Sequence, residues 1–181
     1  MNLEEARLFF TSFGCSHFHM AREYPDRYEE YQKIRISENQ ENLWKKEYLD
    51  SEYSLLLNLK DDREISNKIF NISDIIENGF ANSDSLKLLY NAIMLKKDIV
   101  DSFTKLLIAE SILRVFKNNK DQNCLSQFKK LALEISKDVI DNPIHFSRST
   151  KSEGYLRHGD TLSDGKIKER ANCVIKAFQK K

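Results

Sequence analysis

Potential metal ligands are concentrated in one short stretch near the start of the chain, Cys15-Ser-His17-Phe-His19, and Glu23 follows four residues later. Thiolate, imidazole and carboxylate groups are the protein ligands of zinc. On a helix Cys15, His19 and Glu23 would share one face, whereas on a strand Cys15, His17 and His19 would share one. Because no second ligand cluster completes either set locally, we expect hydrogen-bonded, partly buried histidines and no cofactor. A metal-dependent hydrolase using these residues is a minor alternative.

A second stretch, Tyr155-Leu-Arg157-His158-Gly-Asp-Thr161, raises the question of phosphoryl chemistry. Its core resembles the signature of histidine phosphatases and phosphoglycerate mutases. That resemblance implies a phosphorylated His158 and a phosphate clamp at Arg157. The family places this motif at the start of a large α/β domain and needs a second histidine downstream, but the 20 residues after Thr161 contain none. A short motif outside its structural context is weak evidence, so we interpret it as a coincidence and predict no phosphatase activity.

The same motif lies in a long stretch without helical periodicity, residues 143–163, just before a predicted terminal helix at 165–179. A loop of this length inside a compact domain is typically functional or mobile, and we expect Ile144, Phe146, Tyr155 and Leu156 to pin it across the helices. Five potentially cationic side chains in the loop could bind an anion through charge-assisted hydrogen bonds: His145, Arg148, Lys151, Arg157 and His158.

Charge is unevenly distributed along the chain. Residues 1–60 and residues 61–110 each carry a net charge of −3, whereas residues 111–181 carry +7, which sums to the overall +1. The basic third could attract an anionic partner. An anion- or nucleic-acid-binding module is therefore the alternative functional hypothesis.

Aromatic side chains are enriched at the other end, where ten of the 19 lie within the first 53 residues. Tyr24, Tyr28 and Tyr31 follow each other at helical spacing and so form one face. Tyrosine is common on binding surfaces because its ring is large, rigid and amphipathic. We therefore predict a partner surface on this face, and another protein is the expected partner.

The elements that would position these groups are helices. Five glycines and two prolines are few for a β-rich fold, and apolar residues recur at helical spacing. Start and stop signals occur at Gly14, Pro25, Ser37, Asp98 and Asn142-Pro143. The sequence predicts an all-α single domain, residues 1–181, folded as an irregular bundle of about seven helices with antiparallel hairpin neighbours. Within it, residues 1–60 form an acidic, aromatic-rich part.

One helix should lie at the centre of this bundle. Residues 99–116 are apolar nearly all round, which is typical of a buried helix. Glu110 and Arg114 on this helix are spaced to form an ion pair. We expect alanine at Phe103 or Leu107 to be strongly destabilising.

The cysteine content, the amino terminus and the lengths of the apolar runs indicate the cellular compartment. Three cysteines stand far apart, the amino terminus is acidic, and no apolar run approaches the length of about 18 residues that a membrane span requires. We expect a soluble cytoplasmic protein with no membrane association. The sequence leaves the oligomeric state open and favours a non-enzymatic interaction or regulatory module.

Overall fold

The computed structural model describes residues 1–78, 80–118, 122–148, 150–151 and 163–180. These residues contain nine helices and no strand, which confirms the all-α prediction but exceeds the expected number of about seven. The helices are α1 (Leu3–Ser12), α2 (His17–Glu23), α3 (Pro25–Lys33), α4 (Glu38–Asn58), α5 (Asp62–Glu77), α6 (Ser83–Lys96), α7 (Ser102–Asn118), α8 (Gln122–Asp141) and α9 (Asp164–Gln179).

Local sequence signals set several of the helix ends. Pro25 is the first residue of α3, where its missing N–H removes no intrahelical bond. The Ser37 hydroxyl accepts the Gln40 N–H at 3.3 Å and so caps α4. Helix α8 ends at Asp141, directly before Asn142-Pro143. These predicted boundaries are confirmed.

The start of α7 differs from the prediction. Asp98 lies in a turn with its side chain exposed beside the Lys97 amine, and the helix begins at Ser102. Asp101 caps it instead, because its Oδ1 accepts the Thr104 N–H at 2.8 Å. Asp101 is also held from elsewhere, since its own N–H donates to Oδ1 of Asp62 at 2.7 Å.

Helix α7 forms the centre of the bundle, as its apolar composition predicts. It packs against α5, α8 and α9. Leu106, Ala109, Ile112 and Val115 on α7 are fully buried, whereas Leu107, which was expected to be buried like Phe103, is only half-buried. Helix α4 packs on α5 and α6, and the short helices α1, α2 and α3 are attached to the bundle through α1 and α4.

The buried side chains form two hydrophobic clusters. The main cluster runs from α1 through α4, α5, α6, α7 and α8 to the end of α9, where it includes Val174 and Phe178. The smaller cluster consists of Phe103, Leu106, Val139, Ile167 and Ala171. Helix α9 therefore contributes its first half to the smaller cluster and its second half to the main one.

In the described part of the chain, the helices lack the combination of length and apolar composition that crossing a lipid bilayer requires.

Candidate functional site

Aromatic side chains from α1 to α4 meet at one end of the molecule and form a cluster that we call the aromatic cluster. The chain reverses between α1 and α2 at Gly14 and Cys15, which have φ values of +61° and +58°. This turn places the His17 ring 5.3 Å from the Phe10 ring, measured between centroids. The cluster comprises Phe9, Phe10, Phe13, His17, Tyr24, Tyr28, Tyr31 and Trp44.

A hydrogen-bonded row of polar groups lies at the edge of the aromatic cluster. His17 Nε2 is 3.0 Å from Glu41 Oε2, and His17 Nδ1 is 3.3 Å from the Tyr28 hydroxyl. The other Glu41 oxygen, Oε1, accepts the Tyr31 hydroxyl at 2.7 Å. The order hydroxyl, imidazole, carboxylate is that of a nucleophile, its base and the group that orients the base. The Glu41 carboxylate is largely covered, whereas the His17 imidazole faces solvent. The two hydrogen bonds to its ring nitrogens hold His17 in a fixed orientation.

The other predicted metal ligands do not join His17. Cys15 is buried, and burial raises the pKa of its thiol to about 12 although the Lys45 amine opposes the shift. The thiol therefore stays protonated at neutral pH in this environment. His19 packs beside Phe18 on α2. Within the ranges that the structure describes, no three His, Cys, Asp or Glu side chains are arranged to hold a metal ion.

The three tyrosines predicted to form a partner surface have different environments. Tyr24 is 54% exposed and Tyr28 is half-buried, but Tyr31 is buried, with its ring stacked on Phe10 at 5.9 Å. Burial and the hydrogen bond to Glu41 raise the pKa of Tyr31. Helical spacing put the three residues on one face, but that face turns inward as it passes along α3. Only its first member is well exposed.

Two features that the sequence reasoning missed extend this exposed end along α2 and α3. Phe18 is 67% exposed, and the Arg22 guanidinium lies 5.5 Å from the centre of its ring. Arg27 on α3 lies 4.9 Å from the centre of the Phe9 ring. Phe18 and Arg22 are four residues apart, so the recognisable signal was an aromatic–arginine pair on one turn of a helix. The four residues Phe18, Arg22, Tyr24 and Arg27 are called the α2–α3 surface below.

The cationic loop is described only in part. His145, Arg148 and Lys151 are exposed, whereas Arg157 and His158 lie outside the described residues. The start of the loop is pinned to α7: the Ser102 N–H donates to the His145 carbonyl at 2.9 Å, and the Ser147 N–H donates to Asp101 Oδ2 at 2.9 Å.

Two of the four expected apolar anchors of this loop are described, since Tyr155 and Leu156 lie outside the described residues. Ile144 and Phe146 are half-buried and pack against the smaller hydrophobic cluster, as expected. The imidazole of His145 between them points away and remains exposed. Residues 143–148 are therefore pinned to the helices, and the side chains that pin them are Ile144 and Phe146, on either side of the exposed His145.

A third candidate is a cleft between α5 and α7, with a volume of about 180 Å3. The predicted Glu110–Arg114 ion pair does not form: Glu110 pairs with Arg170 of α9, and Arg114 pairs with Glu77 of α5. The two side chains diverge because each faces a different neighbour of the central helix. Arg114 thereby reaches the cleft, which is lined by Ser66, Asn67, Ile69, Phe70, Leu107, Ile108, Ser111 and Arg114.

These regions offer three kinds of chemistry: a surface of aromatic and arginine side chains, an oriented histidine, and a small cleft with a fixed arginine. No protein-family model, curated protein or solved structure matches this chain.

Proposed function

We propose that the protein is a non-enzymatic interaction module of the cytoplasm that binds another protein through the α2–α3 surface. The observation that carries the proposal is the exposure of two aromatic rings, Phe18 at 67% and Tyr24 at 54%, on the same short helical pair. Arginine and aromatic side chains are the residues that contribute most to protein–protein affinity.

The α2–α3 surface is preorganised for binding. The Tyr24 ring packs edge-on against Phe13 at 5.4 Å, and the Arg27 guanidinium lies over Phe9, which is itself buried. Side chains held in this way lose little conformational freedom when a partner covers them, so more of the burial energy appears as affinity. The rest of the aromatic cluster supports the surface and need not contact the partner.

The charge of the surface defines the partner further. Arg22 is paired with its neighbour Glu23, but Arg27 is exposed and has no carboxylate partner among the described residues. A partner segment that carries apolar side chains next to an aspartate or glutamate would cover both rings and neutralise Arg27. We therefore expect an acidic, apolar segment of another protein.

Affinity capture from the native cell with matched variants tests this proposal. Phe18→Ala combined with Tyr24→Ala should lower recovery of the true partner by about tenfold or more, the effect of losing hot-spot side chains. Arg27→Glu should lower it as well. Ile99→Ala is the control, because Ile99 is 61% exposed but lies outside the α2–α3 surface. Equal recovery of every captured protein by the parent, the double variant and Arg27→Glu would contradict the proposal.

A second candidate function is anion or nucleic-acid binding by the basic carboxyl-terminal third. It is supported by the exposure of His145, Arg148 and Lys151 on a segment whose backbone is anchored to α7. Salt-dependent retention on heparin that Arg148→Glu with Lys151→Glu abolishes would favour this candidate. Retention that is unchanged in this variant would dismiss it.

A further inference from the structure

We propose that the α5–α7 cleft binds a small neutral aromatic molecule, a single ring that carries an amide or a carbonyl group. This cleft and the α2–α3 surface lie on different helices.

The size and lining of the cleft define the ring. Its volume is about 180 Å3. A cavity of about 150 Å3 lined by apolar side chains is large enough to hold benzene, so the cleft has room for one ring and a small substituent. Ile69 and Ile108 form a buried apolar floor, and Phe70 and Leu107 form less buried walls. An aromatic ring is the planar apolar group that fits between such walls.

The polar groups of the cleft define the substituent. Arg114 is fixed by three contacts: Nε donates to the Glu77 carboxylate at 3.1 Å, Nη2 donates to Ser111 Oγ at 2.9 Å, and the guanidinium lies 5.5 Å from the centre of the Phe70 ring. Nη1 of Arg114 and the side chains of Ser66 and Asn67 form no hydrogen bond with another described residue; Asn67 is exposed and the Arg114 side chain is 43% exposed, so a ligand would take the place of solvent at these groups. A carbonyl oxygen would satisfy the arginine, and an amide N–H would satisfy the Asn67 oxygen.

The charge of the cleft selects against an anion. The Glu77 carboxylate already neutralises Arg114, and its side chain is only 12% exposed. Burial raises the pKa of Glu77 despite the nearby guanidinium, so the surroundings of this carboxylate solvate negative charge poorly. A carboxylate ligand would add a second negative charge beside Glu77, whereas a neutral carbonyl would not.

Titration of 15N-labelled protein with benzamide, followed by NMR, tests the proposal. Saturable shifts should appear at the backbone amides of Asn67, Phe70, Leu107 and Ser111. Benzamide should bind about fivefold more tightly than toluene, the ratio that one net hydrogen bond contributes, and more tightly than benzoate because of the charge of Glu77. Shifts that do not saturate at millimolar benzamide, or that are as large with benzoate, would overturn the proposal.

Matched variants localise the effect. Leu107→Trp should fill the cleft and lower the affinity by about tenfold or more. Leu88→Trp is the control, because Leu88 lines a different cavity of about 110 Å3 beside α4 and α6. If Leu107→Trp loses its helical circular dichroism, Phe70→Ala replaces it, since Phe70 is 49% exposed and removing its ring opens one wall without disturbing the core. Unchanged benzamide affinity in Phe70→Ala would also refute the site.

Discussion

Replacing Asp101 by alanine should destabilise the protein far more than the same change at Asp98. The Asp101 carboxylate is 4% exposed and accepts two backbone N–H groups, from Thr104 at 2.8 Å and from Ser147 at 2.9 Å. Loss of the helix cap costs about 1 kcal/mol. Loss of a buried acceptor for the Ser147 N–H costs a further 1–3 kcal/mol, roughly, so the free energy of unfolding should fall by about 2–4 kcal/mol.

Two further variants separate the contributions to this effect. Asp101→Asn keeps one carbonyl oxygen for the Thr104 N–H but turns its NH2 group, a donor, towards the Ser147 N–H, so it should cost about 1–2 kcal/mol. Asp98→Ala removes an exposed carboxylate paired with Lys97 and should change stability by less than about 0.5 kcal/mol.

Urea denaturation followed by circular dichroism measures all three variants. Limited trypsin digestion adds a local readout, because Asp101→Ala should release the loop and accelerate cleavage at Arg148 and Lys151. The reasoning is wrong if Asp98→Ala costs as much as Asp101→Ala, or if Asp101→Ala cleaves no faster than the parent protein.

Three other predictions concern the core and the thiols. Leu106→Ala should lower the free energy of unfolding by about 3–5 kcal/mol and Leu107→Ala by about 1–2 kcal/mol, because Leu106 is fully buried and Leu107 is not. Equal losses in urea denaturation would contradict the observed orientation of α7. Lys96→Met should cost about 2–3 kcal/mol, since the buried amine donates to the Leu57 and Leu59 carbonyls at the end of α4, and an unchanged melting temperature would refute this role. Iodoacetamide at pH 8 should label the exposed Cys173 well before the buried Cys15, because the raised pKa of Cys15, about 12, keeps its thiol protonated. Peptide mass spectrometry measures both rates, and equally fast labelling of Cys15 in the folded protein would contradict its burial.

The part of the fold that could be predicted from sequence is the part that depends on local signals. Pro25 and Ser37 act on the first turn of their own helices, and the high apolar content of α7 favours a central, largely buried position. The choice between Asp98 and Asp101 is different, because both are sound capping residues near the same start. Hydrogen bonds with Asp62 and Ser147 favour Asp101 as the capping residue, and these two residues lie 39 and 46 positions from Asp101 along the chain.

The candidate sites were harder to predict for the same reason. His17 was singled out for its type, but its carboxylate partner Glu41 lies 24 residues later and reaches it only because of the turn at Gly14 and Cys15. Tyr31 shares a helical face with Tyr24 in the sequence, yet the packing of Phe10 against it removes it from the surface. The Phe18–Arg22 pair was available in the sequence, since its spacing alone brings the two side chains together.

The position of α9 across both hydrophobic clusters has a consequence for how the molecule opens. Ile167 and Ala171 are buried with Phe103 and Leu106, while Val174 and Phe178 are buried in the main cluster. Detaching either half of this helix therefore breaks buried contacts in one of the two clusters, so both ends of the helix are anchored. Backbone amides along α9 should therefore exchange with deuterium as one cooperative unit, at a common free energy of opening, instead of fraying gradually from Gln179 towards Asp164.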